Sequence, residues 1–473
     1  MTKGPVSQVR WFTRRLDRPL VICFLTVAGL AMNACWQQPS PATVVVFVLD
    51  TVRRDALGCY GNPLDSSPHI DALSRDGVRF DQAISSSGWT LPAVGSLLTG
   101  TWPTIHGAVG QGVMLRPLRA EVQTAPEVLR ANGFRTVGFA NAAFMSPMVG
   151  IDRGFDLFDH QYSYNYDSRH AQLVVDLAIR ELHARRGEPT FFLIHLFDPH
   201  LNYAPPTGYD TKFTAGRTSP APPITMEMCL NLQTGEDRRQ PPRAEDVAYI
   251  RGVYQGEINF LDAQVGRFLD ELRTLRLYQR ATVIVTADHG EEFWEHQGFE
   301  HGHTLYDELI HVPLIMKFPD GIEPSRAVVS ESVRVLDVMP TVFEILGIDQ
   351  PATFEGKSMM PLVRGEAGGD RPVFSESTLY GPQKIAWRTE RYKYIHDATS
   401  GRDGVGELYD WQQDPAETRN LADAQPELAV RMRSELFAFY TELRDRSRGM
   451  SEPELVNLSP VRIEELRSLG YVR

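Results

Sequence analysis

Cysteine is scarce in this 473-residue chain, and acidic residues outnumber basic ones. The four cysteines form neither a CxxC pair nor a regular framework, which excludes a disulfide-stapled fold. We expect Cys59 and Cys229 to be unpaired thiols, with a bridge between them as the alternative. The net charge of −12 argues against a nucleic-acid partner, because neutralising phosphates requires clustered Lys and Arg. With 42% hydrophobic and 23% charged residues, the composition excludes a mainly disordered or fibrous chain.

The first 35 residues predict that the chain is exported. Basic residues precede an apolar run from Leu20 to Met32, which is short for a membrane span. The run ends at Ala34-Cys35 and resembles a bacterial lipoprotein signal, although Met32 and Asn33 depart from the usual cleavage motif. We therefore expect a periplasmic or cell-envelope protein, whose membrane contact would be limited to a lipid anchor at Cys35.

Three apolar runs and one long amphipathic segment indicate the fold class. The runs lie at Val44 to Asp50, Phe191 to Leu196 and Thr282 to Thr286, and they are typical of parallel strands covered on both faces. Apolar residues recur with helical spacing from Tyr249 to Arg273. Alternating strands and helices of this kind predict an α/β fold, with a doubly wound, mostly parallel sheet flanked by helices.

Near residue 350 the long apolar runs give way to short extended pieces, which indicates a second, smaller domain. We assign the large α/β domain to residues 43–348, with an insertion at 204–244 that is either a lid or a surface loop. Short extended pieces and a helix from Glu427 to Leu443 predict a small antiparallel sheet plus helix at 349–445. Residues 446–473 form a polar tail that we expect to pack loosely.

Polar side chains follow two of the predicted strands where each strand ends. Asp50 ends the first run, and Asp288-His289 follows the third. Open α/β sheets place ligands outside the carboxyl ends of their strands. Carboxylate and imidazole are ligands for divalent metal ions. The sequence therefore predicts a metal site at this edge of the sheet.

A series of ordered blocks resembles the sulfatase family. In the large domain these are L-D-T-V-R-R-D-A-L-G-C-Y-G-N, S-P-H-I-D-A-L-S-R-D-G-V-R-F, L-P-A-V-G-S-L-L-T-G, P-T-I-H-G, T-A-D-H-G-E-E, E-H-G-H-T-L-Y-D-E and H-V-P-L-I. Further on, R-P-V-F-S-E, R-Y-K-Y-I and E-L-Y-D-W-Q-Q-D-P-A-E-T-R-N-L-A resemble the family's C-terminal subdomain. The similarity runs in order from about residue 43 to 440. It implies a sulfatase-type catalytic domain over 43–348.

The resemblance places the family's nucleophile at Thr90, ten residues before Gly100 and two before Pro92. Family members that oxidise this residue to formylglycine have Cys or Ser here and Arg four residues later, whereas this chain has Thr90 and Val94. A Thr side chain cannot yield an aldehyde, so no formylglycine is expected. Related phosphodiesterases and phosphoethanolamine or phosphoglycerol transferases use a metal-activated Thr instead. A role for Thr90 as a helix N-cap is the alternative.

The resemblance also implies a ligand set for the metal ion, namely Asp50, Thr90, Asp288 and His289. Calcium-type sulfatases usually have a second Asp where this chain has Thr51. Its loss leaves fewer oxygen ligands for Ca²⁺, which takes six to eight. We therefore expect Zn²⁺ or Mn²⁺ as the cofactor, with Ca²⁺ as the alternative.

By the same resemblance, His200 in F-D-P-H and His301 in E-H-G lie on the substrate side of the site. They would bind the leaving oxygen, donate a proton to it, or hold a second metal together with Asp198. We also assign His303 and Arg54 as candidate substrate-binding residues, with a surface role as the alternative for Arg54.

The function expected from these residues is metal-dependent hydrolysis of sulfate or phosphate esters. The substrate would be a small molecule, or an ester on a glycan or lipid. Two alternatives stay open at this point: a transferase of the phosphoethanolamine or phosphoglycerol type that uses the same Thr90, and a non-catalytic binding protein with the sulfatase fold.

Overall fold

The computed structural model describes residues 42–160, 170–217, 224–225 and 242–468, together with residues 1, 2 and 4. The described residues from 42 onward belong to one compact unit. The targeting segment, Cys35 and Cys229 lie outside the described residues, so export and lipidation stay predictions. No described helix combines the length and the apolar character needed to cross a membrane.

Sixteen strands occur in the described part of the chain, and they are numbered here in sequence order. They are β1 (Thr43–Leu49), β2 (Val78–Ile84), β3 (Gly110–Gln111), β4 (Met114–Leu115), β5 (Arg135–Phe139), β6 (Leu157–Asp159), β7 (Thr190–Leu196), β8 (Ala281–Ala287), β9 (Glu292–Phe293), β10 (Phe299–Glu300), β11 (His311–Lys317), β12 (Val328–Arg334), β13 (Val373–Glu376), β14 (Lys384–Arg388), β15 (Tyr392–Asp397) and β16 (Gly406–Asp410).

Eight of these strands form the central sheet, in the order β12-β2-β11-β8-β1-β7-β5-β6. All pairs are parallel except those that β11 makes with β2 and β8. The side chains from Val44 to Leu49 are fully buried, as a strand covered by helices on both faces requires. The predicted fold class, a doubly wound and mostly parallel sheet, is confirmed.

The α-helices of the described chain cover the faces of this sheet and of the smaller one. They are α1 (Pro68–Asp76), α2 (Thr90–Thr99), α3 (Pro103–His106), α4 (Ala125–Ala131), α5 (Ala171–Ala184), α6 (Ala244–Thr274), α7 (Asp307–Ile310), α8 (Val338–Leu346), α9 (Met360–Val363), α10 (Pro426–Ser447) and α11 (Pro460–Ser468). The predicted helix over 249–273 corresponds to α6, which is longer at its N-terminal end and packs against α1 and α5.

The C-terminal subdomain is a four-stranded antiparallel sheet, β13-β14-β15-β16, covered by α10. Three of its strands and the helix agree with the predicted extended pieces and the predicted helix. The fourth strand, β16, is an addition, since the short run G-E-L-Y-D lacks a sustained alternation.

The insertion and the tail are held by specific contacts where they are described. Residues 204–217 pack on α6, where Ala204 N donates to Glu257 Oε1 at 2.8 Å and Lys212 Nζ donates to Asn259 at 2.7 Å. The tail departs from the loose packing expected of it at one residue, although most of its other described residues are exposed. Leu466 of α11 is fully buried, because its apolar side chain reaches the main core.

Candidate metal centre and active site

The carboxyl ends of three neighbouring strands build the floor of the site. β1 pairs with β7 on one side and with β8 on the other, so that Val48 lies opposite both His195 and Thr286. Side chains alternate along a strand, and cross-strand partners share a face. Asp50 and Asp288 each follow by two positions, and together with His195 they form a buried cluster whose ligand atoms lie within 4.8 Å of one another.

Thr90 reaches this cluster from the first residue of α2, whose ten residues are all buried. The helix is supported from below by His106, which lies against Gly95 where a Cβ atom would clash with the imidazole ring. His106 Nδ1 accepts from Ala108 N, so its Nε2 carries the proton and donates to Ser96 or the Pro92 carbonyl. His106 therefore fixes the helix that carries Thr90.

His289 joins Thr90 to the two carboxylates. Its Nδ1 lies 2.9 Å from the Gly290 carbonyl, which can only accept, so Nδ1 must be the donor. The other nitrogen, Nε2, lies 3.3 Å from Thr90 Oγ1, 3.6 Å from Asp50 Oδ1 and 3.4 Å from Asp288 Oδ2. In the neutral ring Nε2 accepts from the Thr90 hydroxyl, and its lone pair also faces the two acceptor-only carboxylate oxygens, an arrangement that favours a cation among them. The structure brings all four predicted metal ligands together.

The buried carboxylates also have the character of a cation site. Both carboxylate oxygens of Asp50, and Oδ2 of Asp288, are buried without a hydrogen-bond partner among the described residues. Unpaired buried anions are strongly unfavourable unless a counter-charge compensates them. The donor set of two carboxylates, an imidazole and a hydroxyl therefore fits a divalent metal ion.

Thr51 does not contribute to this cluster. It has a positive φ of 57°, and its hydroxyl donates to the Pro199 carbonyl at 2.9 Å. Its own carbonyl accepts from Tyr254 at 2.8 Å. Thr51, which stands where calcium-type sulfatases have a second Asp, therefore stabilises the turn after β1 and is not a metal ligand.

His200 and His301 lie beside the metal ligands, and their place on the substrate side of the site stays a prediction. The ring of His301 is 4.3 Å from that of His289 and 4.9 Å from that of His200, measured between centroids. Glu291 Oε1 accepts from His301 Nδ1 at 3.1 Å, and its other oxygen accepts from Tyr203 at 2.9 Å. His200 Nδ1 donates to the Leu201 carbonyl. Both rings are therefore held through Nδ1.

Burial dominates the ionisation of this site. It raises the pKa of Asp50 well above the usual carboxyl range, and the nearby Asp288 adds to the effect. Burial also lowers the pKa of His195 to about 4 and that of His200 to about 3, and it holds the pKa of His301 well below its usual value. Without a cation, the interior disfavours charge on carboxylates and imidazoles alike.

Three further candidates lie outside the metal cluster. His303 is partly exposed and lies 2.7 Å from Glu292 through its Nε2. Arg54 covers the Tyr60 ring at 4.9 Å and lines a cleft whose described lining includes none of the metal ligands. Asp198 accepts from Ala171 N at the start of α5, which does not support a second metal held with His200.

Two residues of the site were missed from the sequence. His195 is the one polar residue between Phe191 and Leu196, and that interruption of an apolar strand was the available signal. Glu291 belongs to the block T-A-D-H-G-E-E, but its hydrogen bond to a residue ten positions later needs the folded loop.

The loop that carries His301 is tied to the C-terminal subdomain by His296. Its Nδ1 lies 2.5 Å from Glu308 and its Nε2 lies 3.0 Å from the Glu417 carbonyl, so both nitrogens must donate. Burial opposes the charge, but Glu308 outweighs it and raises the pKa of His296 to about 9. The stabilisation this gives is complete below the unfolded pKa of about 6.5 and is lost as the pH rises through about 9.

We expect the stability difference between wild type and His296→Gln to be largest near pH 6 and to disappear above pH 9 or so. Urea unfolding of both proteins across this range measures the difference. A difference that does not change with pH would show that His296 is not charged in the fold.

Two family models match this chain. Residues 42–348 match the family model described as Sulfatase, and residues 294–442 match the model described as N-sulphoglucosamine sulphohydrolase, C-terminal. The chain is 22% identical to an N-acetylglucosamine-6-O-sulfatase of Bacteroides thetaiotaomicron over 489 aligned positions, covering 84% of this chain and 86% of that protein.

Two solved structures share the fold. The phosphonate monoester hydrolase of Agrobacterium radiobacter superposes with a TM-score of 0.69 at 21% identity, covering 86% of this chain and 96% of that one. A structure solved in complex with its substrate, D-glucosamine-2-N,6-O-disulfate, superposes with a TM-score of 0.66 at 19% identity, covering 87% and 98% of the two chains.

Proposed function

The chain belongs to the sulfatase family, and on that premise we propose that it is a metal-dependent hydrolase of sulfate or phosphate esters with Thr90 as its nucleophile. One observation carries the proposal. Thr90 Oγ1 lies 3.3 Å from His289 Nε2, the same nitrogen that faces the carboxylates of Asp50 and Asp288. The alternative role of Thr90 as a helix N-cap is wrong, because Thr90 is the first helical residue and the cap position is occupied by Trp89 without a side-chain capping bond.

The residues that would hold the metal ion are Asp50, Asp288, His289 and Thr90. A divalent ion bound there lowers the pKa of a coordinated hydroxyl and neutralises charge on the ester oxygens. The imidazole and the small number of carboxylates favour Zn²⁺ or Mn²⁺ over Ca²⁺.

In the first step, Thr90 Oγ1 gives up its proton and attacks sulfur or phosphorus, and the bond from that atom to the leaving alcohol breaks as the alcohol oxygen gains a proton. In the second step, water attacks the same atom, the bond to Thr90 breaks, and the hydroxyl is restored. Thr90 is the first residue of α2, so the positive end of the helix dipole also favours negative charge at this point.

His200 and His301 are the groups that hold or move a proton. The leaving alcohol must gain a proton, and the attacking water must lose one. Since Nδ1 of each ring is committed to an acceptor, exchange with the ester or the water passes through Nε2. Glu291 is a positioning residue that fixes the orientation of His301.

The substrate class is a sulfate or phosphate ester of a small molecule or a glycan. The relatives named for sugar sulfates support a glycan ester, and the hydrolase named for phosphonate monoesters supports phosphorus chemistry. Thr90 in place of Cys or Ser favours phosphorus chemistry, because the related enzymes that use a metal-activated Thr are phosphodiesterases and phosphoethanolamine or phosphoglycerol transferases.

The test is a panel of chromogenic esters with purified protein. Metal-stripped protein reloaded with Zn²⁺, Mn²⁺ or Ca²⁺ is assayed on an aryl sulfate, an aryl phosphate diester and an aryl phosphonate monoester. We expect turnover of at least one ester, dependence on Zn²⁺ or Mn²⁺, and loss of turnover with a chelator.

Isotopically labelled water separates the alternatives. Label in the released sulfate or phosphate shows hydrolysis, whereas transfer to an added alcohol without label shows the transferase alternative. A metal-loaded protein that turns over none of the esters would support the non-catalytic binding protein and contradict the proposal.

A further inference from the structure

We propose that His195 is a further ligand of the metal ion, so that two imidazoles and two carboxylates surround it beside the Thr90 hydroxyl. This inference rests on the proposed function, since it concerns the same site. Nothing in the sequence motifs points to His195, and its role emerges from where β7 lies in the sheet.

The position of His195 follows from strand register. It pairs with Val48, two residues before Asp50, and so it lies on the face of the sheet from which Asp50 and Asp288 emerge. Its Nε2 lies 3.4 Å from Asp50 Oδ2. His289 approaches the other oxygen of the same carboxylate at 3.6 Å. The two rings therefore approach different oxygens of the Asp50 carboxylate.

The ring of His195 is fully buried, and neither of its nitrogens has a hydrogen-bond partner among the described residues. A buried imidazole without partners is unfavourable, because its polar atoms have lost water and gained nothing. Coordination of a cation by one nitrogen lone pair removes part of that cost. A packing role does not, since an apolar side chain would serve better at this position in β7.

The distances fit ligands that share one ion. Two ligand atoms that would each lie about 2.1 Å from one metal ion are about 3.0–3.6 Å apart when the angle between their bonds is about 90–120°. The separation of His195 Nε2 from Asp50 Oδ2 is 3.4 Å, and that of His289 Nε2 from Asp288 Oδ2 is also 3.4 Å.

The chemical consequence is a preference for transition metals. Thr51 is turned away and adds no oxygen, while His195 adds a nitrogen. Imidazole is a common ligand of Zn²⁺, whereas Ca²⁺ requires six to eight oxygens. His195 thus supplies a nitrogen ligand in place of the oxygen ligand that Thr51 does not supply.

The decisive measurement counts nitrogen ligands in the wild-type protein, without any substitution. Pulsed electron paramagnetic resonance of the Mn²⁺-loaded chain detects each directly bound imidazole nitrogen. We expect two coordinated imidazoles, and a single one, from His289 alone, would overturn the proposal.

Variants give the second readout. We expect His195→Ala and His195→Asn to weaken Zn²⁺ binding at least about 100-fold in a competition titration with a chelating dye, which exceeds the usual effect of losing an outer hydrogen bond. They should also lose most of the metal-induced rise in melting temperature. His396, a buried histidine in β15, supplies the matched control His396→Ala, for which Zn²⁺ affinity should be unchanged.

A reduction of tenfold or less in either His195 variant, with the rise in melting temperature retained, would overturn the ligand role. The two proposals fail separately. A protein that shows two coordinated imidazoles but hydrolyses no ester contradicts the proposed function alone, whereas turnover with one coordinated imidazole contradicts only the role of His195.

Discussion

Thr90→Val should lower kcat by at least about 10³-fold, because it removes the attacking oxygen while keeping the shape of the side chain. Thr90 Oγ1 makes its described hydrogen bond only to His289, so the loss of the hydroxyl leaves α2 and its packing in place. The melting temperature should therefore stay close to that of the wild type. Steady-state kinetics with metal in excess, together with thermal unfolding, measure both effects.

Thr90→Ser is the matched control for this substitution, because it keeps a hydroxyl at the same atom and removes only a methyl group. We expect it to retain turnover within about tenfold of the wild type. If Thr90→Val keeps full turnover, the hydroxyl is not the nucleophile, whatever its distance from His289.

Asp50→Asn should have opposite effects on stability with and without metal. In the metal-loaded protein it removes a charged ligand, so Zn²⁺ affinity should fall at least about 100-fold and turnover should be lost. In the metal-free protein it removes one of two facing buried carboxylates, which should stabilise the fold by about 1–3 kcal/mol near pH 7. Chemical unfolding with and without a chelator measures the change in the free energy of unfolding in each state.

The pH dependence gives this prediction an internal check. The pKa of Asp50 is raised in the fold by burial and by Asp288. A raised carboxyl pKa penalises the metal-free fold above the unfolded pKa of about 4, and the penalty grows as the pH rises toward the folded pKa. The advantage of Asp50→Asn in the metal-free protein should therefore shrink toward pH 4. An advantage that is equal at pH 4 and pH 7, or absent at both, would contradict the assignment.

The strand ends were predictable from the sequence because buried parallel strands are long and uniformly apolar. The runs that became β1, β7 and β8 predict both the sheet and the meeting of Asp50 with Asp288 and His289 at one edge. The sequence pattern alone does not predict that Thr90 lies near His289, because the periodicity of a helix does not show where its first residue lies relative to the sheet. Only the family resemblance placed Thr90 in the site.

The positions of Arg54 and His195 could not be predicted because each depends on a local detail of the backbone. The chain turns at Thr51 with a positive φ and carries Arg54 to the ring of Tyr60. In the sequence His195 is marked only as a polar residue within an apolar strand, and its neighbour Asp50 becomes known only from the register of β7 against β1.

The central claim is that Thr90 forms a covalent ester during turnover, and trapping that ester tests it most directly. The metal-loaded wild type is mixed with a rapidly cleaved aryl ester, quenched in acid during the first turnovers, digested and analysed by mass spectrometry. We predict that the peptide containing Thr90 gains the mass of one sulfuryl or one phosphoryl group, and that the same peptide from Thr90→Val does not. The same modification on any other residue, with Thr90 unmodified while product forms, would contradict the account.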